Sequence, residues 1–136
     1  MKLEIIANPI EQPSISHRHS DIGEVTLGAC GLRVVLSFGR IQDDEDRYLD
    51  ILFPVPRGFR FLDEGDLLPY WGVVPTGSGH SIFEVTQGGW IEQEKSYGML
   101  NVTHAVGDYK EWLVVSSNGC LSVISKDTPL IRYIAS

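Results

Sequence analysis

Along most of this chain, apolar and polar side chains alternate in short runs separated by glycine, proline and asparagine. That period of two is the signature of strands with one buried face. Residues 32–38, "LRVVLSF", are rich in β-branched and aromatic side chains, which suit a pleated, half-buried surface. Residues 24–29 read the same way, and the two runs join near Cys30-Gly31. Residues 48–55 predict another strand with Asp50 as its only charge. Pro54 and Pro56 either end that strand or place it at a sheet edge. Shorter strands are expected over residues 2–7, 58–62 and 81–86. Residues 8–23, "NPIEQPSISHRHSDIG", hold two prolines and many turn formers and predict a loop or surface strap.

Toward the C-terminus the pattern is clearest. Residues 109–116 and 120–125 flank "SNG", a strong hairpin signal. Residues 130–134 predict a last edge strand or a helical turn. Helical periodicity is confined to two places. Asp63 is a plausible N-cap for one or two turns over residues 63–71, with acids in the first turn and Pro69 and Gly72 keeping it short. "GGWIEQEKSYG" predicts a short helix between glycines, with Trp90 and Ile91 turned inward. The sum is six to eight short strands and two or three short helices. Strands that follow one another without long helices between them argue against βαβ repeats. The predicted class is α+β, mostly antiparallel, in a single domain spanning residues 1–136.

Composition does not alter that reading. The chain has 136 residues, 43% of them hydrophobic and 21% charged, enough apolar material for a core without disulfides or metals. Cys30 and Cys120 lie 90 positions apart and form no zinc signature. "MKLEIIANPIEQP" breaks its apolar run too early for a signal peptide, and no apolar stretch is long enough to span a bilayer. A reducing cytoplasm is the expected compartment.

Charge adds more. Eighteen acids stand against eleven bases, a net charge of −7. Residues 1–42 carry four of each sign and residues 96–136 three of each, so the whole excess lies in residues 43–95, with eleven acids and four bases. Such a balance disfavours nonspecific nucleic-acid binding, which depends on cations meeting phosphates, and disfavours an anionic membrane surface. It suits a basic protein partner. Asp43, Asp44, Glu45 and Asp46 read first as a solvated loop. They acquire a second meaning because Asp63, Glu64, Asp66, Glu92 and Glu94 recur near Tyr70, Trp71 and Trp90. Aromatic side chains make interface hot spots, and acids around them steer a cationic partner. These twelve residues are the expected contact set. Trp71 and Trp90 carry a competing reading as core residues, because tryptophan has a large apolar area to pack.

Catalytic and metal chemistry find less support. His17 and His19 share a face of an extended chain, but Arg18 between them opposes a cation and no third ligand stands nearby. No GxSxG elbow frames a serine, and the cysteines lack an evident histidine partner. The acids cluster rather than sit alone in apolar surroundings, where a raised pKa would mark a general acid. The glycines at 77–79 and 88–89 lack a following lysine and are not phosphate loops. No metal, cofactor or catalytic residue is expected.

The strings "FRFLDEGDLLPYW", "IFEVTQGGWIEQE" and "YKEWLVVSSNGCLSVIS" resemble, in order, successive blocks of bacterial immunity proteins from contact-dependent growth inhibition systems. The blocks cover residues 59–125, about half of the chain. The resemblance implies an antidote without activity of its own, which binds and blocks the C-terminal toxin domain of a surface effector. Within that group it is nearest to immunity proteins whose toxins resemble EndoU-type RNases and whose fold resembles the Whirly family, which binds single-stranded nucleic acid. This chain lacks the basic groove such binding needs, so a shared fold would not carry a shared ligand. The alternative remains a Whirly-like single-stranded nucleic-acid-binding domain, with Arg33, Arg40, Arg57, Arg60, Lys95 and Lys110 as the contributors to a basic stripe. A small hydrolase, with a cleft holding His80 and an acid, is the third reading.

Overall fold

The computed structural model describes residues 4–13, 20–38, 47–67, 70 and 79–135. Among these, nine strands form two antiparallel sheets. Strands β1 (Ile6–Pro9), β6 (Ile82–Gln87), β7 (Lys110–Val115), β8 (Cys120–Ser125) and β5 (Pro56–Leu62) make a five-stranded sheet in that order. Strands β2 (Ser20–Gly28), β3 (Gly31–Phe38), β4 (Arg47–Phe53) and β9 (Leu130–Ala135) make a four-stranded one. Two short helices, α1 (Trp90–Ser96) and α2 (Asn101–Val106), and a 3-10 turn at Glu64–Leu67 complete the described elements. The class is α+β, with one strand more than the upper expectation. No described helix is long and apolar enough to cross a membrane.

Both sheets contribute to one core. Leu32, Val34 and Leu36 of β3 and Leu49, Ile51 and Phe53 of β4 meet Ile82, Trp112, Val114, Leu121 and Val123 from the other sheet. These alternate positions are the inward faces of their strands. Trp112 is fully packed, and its indole N–H donates to the Ser125 carbonyl at 3.1 Å, which satisfies its single polar atom. The five-stranded sheet is also covered on its outer face. There Tyr70, Phe83, Val85, Leu113, Val115 and Cys120 form a second cluster.

Pro54 and Pro56 lie where the chain leaves β4 for β5 and so passes between sheets. Strand β4 itself is internal, flanked by β3 and β9, and β9 is the edge strand expected near the C-terminus. The loop predicted over residues 8–23 gives way to strand at both of its ends. Asn8 and Pro9 belong to β1, and the Gln12 side chain clamps the start of β6, its carbonyl accepting from the Ser81 and Ile82 N–H groups at 2.7 and 2.9 Å. Strand β2 begins at Ser20, where residues 8–23 predict a loop. The register shifts between Ile22 and Glu24, and such a bulge breaks the period of two that would reveal the strand. The Asn118 side chain holds the Ile22 backbone on both sides, at 2.9 and 3.1 Å. That support comes from the β7–β8 turn, far along the sequence.

On the outer face of the four-stranded sheet, Asp50 accepts from Arg33 on β3 at 2.9 Å and from Arg132 on β9 at 2.7 Å. The carboxylate is 6% exposed, while both arginines reach solvent. The Arg33 hydrogen bond, opposed by burial and helped by Arg132, holds the Asp50 pKa below its ordinary 3.8. Its stabilisation is therefore present above pH 3.8 and is lost as pH falls through the lower folded-state value. Asp50→Asn is expected to cost about 1–3 kcal/mol at neutral pH, the worth of hydrogen bonds to a charged group. Urea unfolding should show the gap from the wild type closing in strong acid; a gap independent of pH would exclude this account.

Candidate functional site

The site is assembled on the outer face of the five-stranded sheet, around a residue whose position is set by strand alternation. In β7, Trp112 and Val114 face the inter-sheet core, so Glu111, Leu113 and Val115 face outward. That side is roofed, and Glu111 is only 2% exposed. Its carboxylate accepts from the Ile91 N–H at 2.9 Å, from the Trp90 N–H, and from the Tyr70 hydroxyl at 3.1 Å. Helix α1 has no side-chain cap from Gly89. A carboxylate from a strand twenty residues further on serves instead, satisfying N–H groups that every helix start leaves without partners.

The "GGW" string owes its second glycine to this contact. A Cβ at Gly89 would lie 2.5 Å from Glu111 Oε2 and 2.7 Å from Val85. Burial pushes the Glu111 pKa up, offset in part by the two backbone donors, the Tyr70 hydroxyl and the nearby Arg60 charge. Burial and the adjacent carboxylate likewise drive the Tyr70 phenol well above its usual value. With three donors aimed at it, Glu111 is a structural anchor joining α1, β7 and the segment that carries Tyr70.

Around the anchor lie several of the expected contact residues. Trp90 is half-buried against Gly58 and stacks on the Arg60 guanidinium, 5.1 Å from the ring centroid. Its indole N–H donates to Glu94 at 3.1 Å, so Glu94 is engaged within the chain. Glu92, on the same helix, is exposed. Asp63 and Asp66 are exposed beyond the end of β5. The Asp63 carboxylate accepts from the Gly65 N–H at 3.1 Å and its carbonyl from the Asp66 N–H at 3.0 Å, the capping role its sequence context predicts. Tyr70 departs from expectation: it is 2% exposed, packed among Phe83, Leu113 and Val115, and so offers no surface to a partner. Asp43, Asp44, Glu45, Asp46, Trp71, His17, His19 and Arg40 lie outside the described residues, as does the side chain of Glu64.

Beside α1 a cleft of about 230 Å³ opens, with Glu111 at its wall and Glu84, Glu92, Lys95, Tyr109 and Lys110 around it. Lys110 and Glu84 stand 3.9 Å apart. His80 does not line this cleft, so the histidine–acid pairing of the hydrolase reading is not assembled there. Among the described residues no three His, Cys, Asp or Glu side chains gather as a metal site. Neither Cys30, exposed at the β2–β3 turn, nor buried Cys120 is part of a disulfide.

The described bases are divided. Arg33 lies on the outer face of the four-stranded sheet against Asp50, whereas Arg57 stacks over Tyr109 at 5.4 Å and Arg60 over Trp90 on the other sheet. Glu111 and Gly89 are the members of the site that the sequence reading missed, and Arg60, read there as part of a basic stripe, stacks on Trp90 instead. A lone acid in the otherwise apolar run "EWLVV" was the available signal. No family model, curated protein or solved structure matches the chain.

Proposed function

We propose that this protein is an immunity protein without catalytic activity, which binds and occludes the toxin domain of a contact-dependent inhibition effector in the cytoplasm. The toxin is a basic RNase. The observation that carries the reading is the placement of the charge excess: all of the −7 falls in residues 43–95, and of that segment Asp63, Asp66 and Glu92 stand exposed. An RNase cleft is cationic because its substrate is polyanionic. Carboxylates presented to that cleft compete with RNA for the same positive field and speed encounter. The resemblance of residues 59–125 to such antidotes supports the same reading, and a Whirly-like fold for this chain belongs to it. A standard interface of about 1,600 Å² reaches nanomolar affinity when its hot spots are well placed.

The test sequences the genes immediately upstream for an effector C-terminus and titrates the chain against that domain, read as binding kinetics and residual RNA cleavage. The wild-type chain is expected to bind tightly and stop cleavage. Asp66→Lys with Glu92→Lys, both at exposed positions, is expected to slow association about tenfold or more at low salt, with little change at high salt. Unchanged neutralisation by this variant and by charge reversal at Asp43 to Asp46 would remove the acidic surface as the mechanism. A gel shift with single-stranded RNA at low salt, in place of toxin binding, would favour the nucleic-acid-binding alternative.

A further inference from the structure

We propose that Asn118 is a deamidation site gated by the fold. Its amide is pinned while the start of β2 is docked, converts to a carboxylate when β2 lifts away, and then keeps β2 from docking as before. The inference goes beyond the toxin-binding reading and stands independently of it. Asparagine followed by glycine is a labile pair, because a residue without Cβ leaves its N–H open to attack the side chain before it. The chain has three asparagines, Asn8, Asn101 and Asn118, followed by Pro9, Val102 and Gly119. Proline has no N–H to offer, and the branched valine shields its own. Asn118 alone has the reactive neighbour.

Packing from two sides imposes the pair. A Cβ at Gly119 would stand 2.4 Å from the Phe61 ring and 3.0 Å from the Leu62 carbonyl oxygen, so β5 excludes a larger residue there. Asn118 is held from the other sheet. Its Oδ1 accepts from the Ile22 N–H at 2.9 Å, and its Nδ2 donates to the Ile22 carbonyl at 3.1 Å. A carboxamide offers that donor and acceptor side by side. The Ser116 hydroxyl, shared with the Gly119 carbonyl, lies 2.6 Å from the same Oδ1. Asn118 is nonetheless exposed, so water and hydroxide reach it.

The reaction consumes only water. The Gly119 nitrogen gives its proton to hydroxide and attacks Asn118 Cγ; the Cγ–Nδ2 bond breaks, ammonia leaves, and a five-membered imide remains. Water opens the imide at either carbonyl and leaves aspartate or isoaspartate. Ring closure needs Cγ turned back onto its own chain in an attacking geometry, which means releasing Ile22. The rate is therefore set by local opening of the β2 start. The product does not restore the clamp. A carboxylate only accepts, so one of its oxygens meets the Ile22 carbonyl where Nδ2 had donated, and the negative charge of Asp21, next to Ile22 in the chain, opposes it further.

The experiment follows Asn118 by peptide mapping and mass spectrometry at mildly alkaline pH, in folded wild type, in wild type unfolded by urea, and in folded Ser117→Ala. Ser117 is exposed and its hydroxyl donates to the Ser20 carbonyl at 2.7 Å, so its loss loosens the start of β2 without touching the Asn118 amide. Unfolding is expected to speed conversion about 30-fold or more, with Ser117→Ala between the two. Asn8 and Asn101 should stay intact throughout. A folded rate equal to the unfolded one, or an Asn118 that persists in urea, overturns the inference. So does a Ser117→Ala rate no faster than that of folded wild type. Asn118→Asp tests the lock directly: hydrogen exchange of the Ile22 amide should be about tenfold faster than in wild type, and unchanged protection overturns it.

Discussion

Glu111→Ala should unfold roughly 10–20 °C below the wild type. The substitution strands the Trp90 and Ile91 N–H groups and the Tyr70 hydroxyl in a site that water barely reaches. Disrupting a buried charged network by removing one member costs about 3–5 kcal/mol, and for a domain of this size each kcal/mol lowers Tm by roughly 3–4 °C. The loss is not only local. Glu111 ties the start of α1 to β7 and to Tyr70, so the helix that carries Trp90 and Glu92 should fray with it. Glu111→Gln keeps the volume and one acceptor for the helix N–H groups, and is expected to lose less.

The glutamine variant also isolates the protonation of Glu111. Burial raises the folded-state pKa above the ordinary 4.5. The corresponding stabilisation is thus fully present below the unfolded-state value and is lost as pH rises through the folded-state one. Acidification from neutral pH toward 4.5 should therefore strengthen the wild type relative to Glu111→Gln, the reverse of the trend expected at Asp50. Urea midpoints measured for both proteins across this range give the difference directly, and Asp50 cancels because both carry it. A wild type that weakens relative to Glu111→Gln on acidification would contradict a raised pKa.

Gly31→Ala is expected to be as damaging, by backbone collision. Gly31 follows the two-residue turn of the β2–β3 hairpin, pairs with Gly28, and has φ of +121°. An added Cβ would stand 2.3 Å from the Phe53 carbonyl oxygen and 3.0 Å from Pro54 Cα. Neither contact is with a side chain that can swing aside, and the φ is one that L-residues rarely adopt. Relief requires prising β3 from β4 at its first pair, Leu32 with Phe53, at a cost of about 3 kcal/mol or more. Gly28→Ala is the matched control. It sits across the same turn with nothing within 4 Å of its Cβ, and its effect should stay within about 0.5 kcal/mol, as for a surface substitution. Thermal melts of the two variants compare them; similar midpoints would show that the hairpin end yields easily.

The legible parts of this protein were those set by neighbours in sequence. Alternation in "LRVVLSF" located β3, "SNG" located the turn between β7 and β8, and the glycines before Trp90 located the start of α1. The capping role of Asp63 was equally local. Helix α2 was missed because six residues are too few to show a helical period, and its valines face solvent. The start of β2 was missed because a bulge interrupts its period and its support comes from Asn118.

By itself, the sequence determined that the chain folds as short antiparallel strands with few helical turns, and that its charge excess lies in one segment. Both follow from side-chain periodicity and composition, which act over a few residues. Only the tertiary structure decided which strands share a sheet, that Tyr70 is buried rather than offered to a partner, and that Glu111 caps a helix twenty residues before it. Those outcomes depend on groups far apart in the chain meeting where water is excluded. There an unpaired N–H, hydroxyl or carboxylate is too costly to leave alone, and no local pattern records which partner it will find.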